Sequence, residues 1–312
     1  MLHRLASPLR HLAMAAGRGR SARAVLALWA VCCALAGATP AQAQDAAALR
    51  ARHIALTEKL ASNPFQRPLV LESSETPNHL QGDIYARLDL PFAQVGPALL
   101  GNEQWCNILI LHLNVKQCRT GNNPAGPTLG LAIGSKHDQP LGNAYQVDFA
   151  FREVARTPDY LQVLLSAEQG PMGTSRYRIV LEVVALDAGR SFMHLSYSYD
   201  FGTAARLAMQ VYLATIGRSK VGFSVVGRQP DGTPQYLTGT RGVVERNTMR
   251  YYLAIEAYLG TLDLPAAQQF ERRLAAWFTA SERYPVQLHE IELSDYLAQK
   301  RDLQQQRQRP GS

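Results

Sequence analysis

The middle of the chain alternates apolar and polar residues with the period of β-strands. In His79–Leu90, Ile84, Ala86 and Leu88 fall on one face and charged residues on the other, as in a half-buried strand. The same reasoning predicts strands at Ile108–Arg119, Thr128–Ser135, Ala144–Val154, Leu161–Ser166, Arg176–Asp187, Ser191–Phe201 and Val221–Val226. Because short turns join most of these segments, we predict an antiparallel sheet of about six to seven strands rather than alternating βα units.

A long amphipathic helix is predicted after the strands, at Thr240–Leu262. At 100° per residue one arc of this helix holds Val244, Thr248, Tyr251, Ile255, Tyr258, Leu259 and Leu262. Arg246 and Arg250 lie on the far side and are expected to point away from the sheet. We interpret the helix as a lid on the sheet, with a cavity between them.

Shorter helical patterns flank this core. They cover Gln44–Ser62, Phe92–Gln104, Gly202–Gly217, Leu264–Glu282 and Glu290–Gln304. Asn63–His79, which contains two prolines, is interpreted as an irregular lead-in, and the basic residues from Lys300 onward as a solvated tail. The predicted division is 1–43 export signal, 44–78 helix and lead-in, 79–262 main domain, 263–304 helical extension and 305–312 disordered tail.

The first 43 residues have the pattern of a secretory signal peptide. Five arginines and no acidic residue accompany the apolar run Ala24–Gly37, and Ala41-Gln42-Ala43 is a small-x-small cleavage site. The run is shorter than the roughly 18 residues that span a bilayer. We therefore expect a periplasmic or secreted protein cleaved near Ala43, with a retained signal anchor as the alternative.

Removal of this signal changes the charge of the protein. The formal net charge of the 312-residue chain is +7, and the loss of five arginines with no acids lowers it to +2. A nucleic-acid-binding domain is typically strongly basic. We therefore expect no nucleic-acid partner.

Two cysteines remain after the signal, Cys106 and Cys118. An even pair in an oxidising compartment indicates a disulfide, which would close a short loop and stabilise the fold by about 3 kcal/mol. The alternative is two half-buried free thiols.

No motif identifies a reaction. Gly222–Gly227 has one residue too many for a G-x-S-x-G nucleophile elbow, so Ser224 is interpreted as a strand serine. His112 and His194 lie in predicted strands and could point inward together, although a structural role is favoured. The sequence indicates no metal site and no cofactor, and it does not favour an enzyme.

Tyrosines recur on the surfaces expected to face each other. Because a tyrosine side chain combines an apolar ring with one polar tip, it suits a cavity for a mostly apolar ligand with a polar group. The candidate ligand-binding residues are Tyr197, Tyr199, Tyr212, Asn247, Tyr251, Ile255, Tyr258 and His112. Ordinary core packing is the alternative for the tyrosines. Arg246 and Arg250 would face an anionic head group only if Glu245 or Glu256 did not pair with them.

The order of elements resembles the helix-grip fold of the START-like (SRPBCC) superfamily. The resemblance rests on Gly82-Asp83-Ile84-Tyr85-Ala86, Leu90-Pro91-Phe92, Trp105-Cys106 and the helix segment Arg246–Ile255, and it covers about residues 79–262. It implies an α+β domain in which a curved antiparallel sheet wraps on a long C-terminal helix. The chain departs from the family in its signal peptide, its cysteine pair and its extra C-terminal helices, and we expect an exported, proteobacterial-type member rather than a cytosolic lipid carrier.

The resemblance also implies a function. Proteins of this fold hold lipids, sterols or other apolar molecules between the sheet and the last helix. We therefore expect periplasmic binding or carriage of a hydrophobic small molecule or lipid, with peripheral membrane contact as an option. One alternative is a non-catalytic envelope module that docks a protein partner through Leu264–Gln304. The other is a hydrolase or cyclase on the same fold.

Overall fold

The structure is a computed structural model that describes residues 41–137, 139–215 and 217–308. Side chains are described between residues 45 and 305, except at positions 138, 204, 208, 212 and 216. The signal peptide predicted for 1–43 lies almost wholly outside the described residues, as do residues 309–312 of the predicted tail.

Helices and strands fill most of the described chain. The helices are α1 Ala41–Ala55, α2 Thr57–Ala61, α3 Phe92–Ala98, α4 Asn102–Leu109, α5 Thr203–Ala214, α6 Gly239–Leu259, α7 Ala266–Ser281, α8 Pro285–Leu288 and α9 Leu293–Gln308. The strands are β1 Leu69–Thr76, β2 His79–Leu88, β3 Val115–Asn123, β4 Gly126–Ile133, β5 Tyr145–Thr157, β6 Tyr160–Gln169, β7 Thr174–Ala185, β8 Ser191–Phe201, β9 Val225–Arg228 and β10 Pro234–Tyr236.

Eight strands form one curved antiparallel sheet in the order β1-β2-β8-β7-β6-β5-β4-β3. The hairpins from β3 to β8 follow the chain, while β2 pairs with β8 and so joins the first and last parts of the sheet. The long helix α6 packs on this sheet, which is the arrangement of the START-like helix-grip fold. The predicted fold class is confirmed, although the sheet has eight strands rather than six or seven.

The close packing of α6 on β2 depends on Gly82. A Cβ atom at this position would overlap the hydroxyl of Thr248 and lie 3.2 Å from the Thr248 Cβ. Strand β2 buries every second residue, and its buried face meets α6 in one continuous apolar core with α3, α4 and the facing side of β8. Burial of each large apolar side chain in such a core contributes about 1.5–3 kcal/mol.

The opposite face of the sheet is covered by α1 and α2. Leu49, Leu56 and Leu60 pack there against Tyr160 and Phe192 in a second, smaller apolar cluster. The sheet is therefore a middle layer, and the N-terminal helices belong to the packed domain.

The C-terminal helices bury the far side of α6. The indole N–H of Trp277 in α7 donates to the Arg250 carbonyl at 3.1 Å, and Arg246 and Arg250 are each only 3% exposed. These arginines were predicted to point away from the sheet, and there they are buried: Arg246 donates to the Val221 carbonyl, and Arg250 pairs with Glu290. Lys300 is also buried, so its assignment to a solvated tail is wrong.

Three predicted segments need correction. The lead-in predicted at Asn63–His79 contains the edge strand β1, which pairs with β2 along its whole length. The strand predicted at Ile108–Arg119 begins as the last turn of α4, and β3 starts only at Val115. The strand predicted at Val221–Val226 is the short β9, which forms a separate hairpin with β10.

The predicted disulfide is present. Cys106 in α4 and Cys118 in β3 are bonded, with their Cα atoms 5.4 Å apart. Both residues are buried, so the bond fixes α4 against the edge of the sheet that β3 forms.

Candidate functional site

Tyrosines from the sheet and from α6 meet between the two. Tyr177 of β7 stacks on Tyr199 of β8 with ring centroids 5.1 Å apart. Tyr197 contacts Tyr251 of α6 at 5.1 Å, and Tyr251 stacks on His112 at 5.0 Å. We call these five residues, together with Asn247, the interior cluster.

Strand and helix periodicity explain this convergence. Tyr197 and Tyr199 are two residues apart on β8 and therefore share a face, while Asn247 and Tyr251 are one turn apart on α6. Burial raises the pKa of Tyr251 and Tyr197 above the usual range. These phenols therefore remain protonated and can act as hydrogen-bond donors.

His112 contributes a buried polar atom that lacks a well-formed hydrogen bond. It lies in the connection between α4 and β3, and its Nδ1 accepts the Asn114 backbone N–H at 3.1 Å. Burial, reinforced by Arg250, Lys300 and other cations, lowers the pKa of His112 well below its usual value, and the side chain of Asn247 opposes this shift only weakly. The imidazole is thus neutral with its proton on Nε2, and within the described chain this buried Nε2–H makes no hydrogen bond of good geometry.

Charged residues lie next to this histidine. The carboxylate of Glu290 accepts from Arg250 at 2.8 Å, Lys136 at 2.6 Å and Lys220 at 2.9 Å. Burial alone would raise the pKa of Glu290, but Arg250 and the two lysines outweigh burial and lower it to about 2. Glu290, not Glu245 or Glu256, is therefore the carboxylate that pairs with Arg250.

A second charged group lies on the opposite face of the sheet. His194 contacts Glu182 through Nδ1 at 2.8 Å and Asp83 through Nε2 at 2.9 Å, and its ring stacks on Tyr85. Burial would lower the pKa of His194, but the two carboxylates outweigh it and raise the pKa to about 9.

These contacts remove the obvious catalytic candidates. His112 and His194 lie on opposite faces of the sheet, so the suggestion that they point inward together is wrong. Both ring nitrogens of His194 contact carboxylates, so neither nitrogen is available to act as a general base. Ser224 donates to Glu245 at 2.6 Å instead of to a histidine, so it lacks the neighbouring base that activates a serine nucleophile.

The remaining candidate residues are placed as follows. Ile255 is fully buried one turn beyond Tyr251. Tyr258 lies a further turn along α6 with the Arg273 guanidinium 4.3 Å from its ring centroid, away from the interior cluster. The side chain of Tyr212 lies outside the described residues. Tyr177 was not among the predicted site residues, although its two-residue spacing from Ile179 places both on the core face of β7.

The described residues offer neither a metal-binding group nor a membrane-spanning helix. They contain no group of three or more histidine, cysteine, aspartate or glutamate side chains arranged to hold a metal ion. No helix among them combines the length and the apolar character needed to cross a bilayer.

Comparison with known proteins finds similarity only among solved structures. The sequence matches no protein-family model and no curated protein. A START superfamily protein from Mycobacterium smegmatis is 12% identical over 45% of this chain and 92% of that chain, with a TM-score of 0.30. Norcoclaurine synthase from Thalictrum flavum, in complex with dopamine and hydroxybenzaldehyde, is 13% identical over 48% and 80%, with a TM-score of 0.29.

A third solved structure, Ara h 8.0201, is 10% identical over 62% of this chain and 99% of that chain, with a TM-score of 0.34. At these identities and TM-scores, no ligand or activity transfers to this chain.

Proposed function

We propose that this protein binds an apolar small molecule or lipid with a hydrogen-bond acceptor, held between the sheet and α6. The observation that carries the proposal is the buried Nε2–H of His112, which makes no hydrogen bond of good geometry within the described chain, although the Asn247 side chain is its polar neighbour. A buried donor without a partner costs about 1–3 kcal/mol. An acceptor on the ligand would offset that cost.

The rest of the interior cluster supports an apolar ligand body. Tyrosine rings offer large apolar surfaces, and their hydroxyls offer orienting hydrogen bonds. The rings of Tyr197 and Tyr251 are in contact, so a ligand held between the sheet and α6 requires these two rings to separate.

Binding can be tested with cis-parinaric acid, a fluorescent fatty acid whose carboxylate is an acceptor. We expect saturable binding to the wild-type protein and binding about fivefold to tenfold weaker to His112→Asn. Asparagine can keep an acceptor near the Nδ1 position while removing the Nε2 donor. Tyr160→Phe removes a tyrosine hydroxyl on the opposite face of the sheet and should leave the affinity unchanged.

A parallel measurement is mass spectrometry of organic extracts from the purified protein. The proposal is refuted if no apolar molecule co-purifies and cis-parinaric acid does not bind. The tyrosines would then serve only for packing, which would favour the envelope-module alternative.

We further propose that the protein is exported to the periplasm. The arginine-rich N-terminus, the apolar run and the small-x-small site of residues 1–43 support this location, as does the disulfide. Cell fractionation and N-terminal sequencing should find a soluble periplasmic protein that begins at Gln44. Recovery in the cytoplasm, or in the membrane with an intact N-terminus, would contradict the proposal.

A further inference from the structure

An aromatic cleft lies between the segment that precedes β1, the region of the β9–β10 hairpin and helix α8. It has a volume of about 580 Å³ and is lined by Pro64, Phe65, Gln66, Arg67, Phe223, Tyr236, Arg283, Tyr284, Pro285, Val286 and Gln287. Volumes of roughly 300–1,000 Å³ are typical of small-molecule sites. No residue of the interior cluster lines this cleft.

Three rings form the apolar wall of the aromatic cleft. Phe223 and Tyr284 meet edge to face with centroids 5.4 Å apart. Phe65 contacts Phe223 at 5.7 Å and Tyr284 at 6.0 Å. Such a wall favours a flat apolar ligand, which can stack on one ring and meet the edge of another.

Phe223 is held in place by a buried carboxylate. Glu245 is fully buried in α6 and accepts the backbone N–H of Phe223 at 2.6 Å and of Ser224 at 2.9 Å. It also accepts the hydroxyls of Ser224 and Ser73, both at 2.6 Å. With four donors on one carboxylate, this wall is rigid before a ligand arrives, which lowers the entropic cost of binding.

Two polar residues that line the aromatic cleft indicate which polar groups a ligand of this site would carry. Gln287 is 6% exposed, and its amide makes no hydrogen bond within the described residues, so its donor and acceptor remain available to a ligand. Arg283 is exposed at the rim and forms no ion pair with a described carboxylate. Arg67, by contrast, is already paired with Glu256.

We propose that the aromatic cleft binds a flat apolar molecule that carries an acidic group and a second polar group. The rings of Phe65, Phe223 and Tyr284 hold the apolar body. Arg283 pairs with the acid, and the amide of Gln287 binds the second polar group.

The test compares 6-hydroxy-2-naphthoate with its uncharged amide, 6-hydroxy-2-naphthamide, by saturation-transfer NMR titration of the full chain. The wild-type protein should bind the naphthoate about fivefold more tightly than the amide, the preference expected for one exposed ion pair. Arg283→Gln should remove this preference and still bind the amide. Arg272→Gln makes the same charge change at an exposed position of α7 outside the cleft and should retain the preference.

Two further variants test the cleft itself. Val286→Trp adds bulk to a lining residue that is 61% exposed and should weaken both ligands. Gln287→Met keeps the length of the side chain, removes the amide and should also weaken both. Circular dichroism checks that each variant is folded.

The proposal is overturned if neither ligand binds the wild-type protein, if Arg283→Gln retains the preference, or if Val286→Trp leaves both affinities unchanged. His112→Asn should not alter binding of the naphthoate, because His112 lies outside the aromatic cleft. A loss of naphthoate binding in His112→Asn would place the ligand in the interior cluster and would also overturn the proposal. Failure at one site is thus distinguishable from failure at the other.

Discussion

The charged group around His194 should make the protein less stable as the pH becomes alkaline. His194 is held between Glu182 and Asp83 with only 16% of its side chain exposed, and its pKa rises from 6.5 to about 9. A shift of one unit corresponds to about 1.4 kcal/mol, so protonation of His194 contributes about 3 kcal/mol to folding. This contribution is fully present below the unfolded-state pKa of 6.5 and is lost as pH rises through about 9.

The experiment compares the wild-type protein with His194→Gln, which cannot carry the charge. The free energy of unfolding is measured by urea denaturation from about pH 6 to about pH 10.5. The difference between the two proteins should shrink by about 3 kcal/mol over this range. His137→Gln replaces an exposed histidine and serves as the control.

Taking the difference between two proteins cancels the titration of groups that both share. A difference that stays constant across the range would refute the reasoning, because His194 would then bind no extra proton in the folded state. NMR titration of the His194 ring should give the same folded-state pKa directly.

Two further predictions concern buried contacts of α6. Glu290→Gln leaves Arg250 and two lysines without their carboxylate and should destabilise the protein by about 3 kcal/mol at neutral pH; in the wild type this contribution is lost as pH falls from 4.5 through about 2. Glu271→Gln breaks an exposed ion pair and should lower the free energy of unfolding by about 1 kcal/mol or less. If urea denaturation shows equal losses for Glu290→Gln and Glu271→Gln, the prediction for Glu290 is wrong. Gly222→Ala places a Cβ against the Glu245 carboxylate and should cost about 1–3 kcal/mol, whereas Gly142→Ala, with open space around it, should be nearly neutral in the same assay.

The sheet was largely predictable because strands such as β2 and β5 bury alternate residues over most of their length. Strand β1 was missed because its burial fades along the strand, from the buried Leu69 to the exposed Thr76. An edge strand of this kind is held mainly by main-chain pairing with β2, which leaves little trace in the side-chain pattern.

The strand prediction for the segment after Trp105 was wrong for the opposite reason. Leu111, Leu113 and Val115 alternate like a strand and are all buried. The chain there leaves α4 through turns, with the Ile110 N–H bonded to the Cys106 carbonyl. Burial on all sides removed the contrast that distinguishes a strand from a packed connection.

The polar environment of α6 could not be read from local pattern. Glu245, Arg246 and Arg250 lie outside the apolar arc of the helix, yet all three are buried. The carboxylate that pairs with Arg250, Glu290, lies 40 residues further along the chain. Such contacts depend on tertiary packing, whereas the meeting of Tyr197, Tyr199 and Tyr251 follows from the local periods of one strand and one helix.

Lys300 in α9 ties the end of the chain to its middle. Its amino group donates to the carbonyl of His112, 188 residues earlier, at 2.7 Å, and to that of Val115 at 2.8 Å. During vectorial synthesis the sheet can pair before α9 has emerged, because all its strands precede that helix. The backbone that orients His112 becomes fixed only when nearly the whole chain is available, so the interior cluster is completed last.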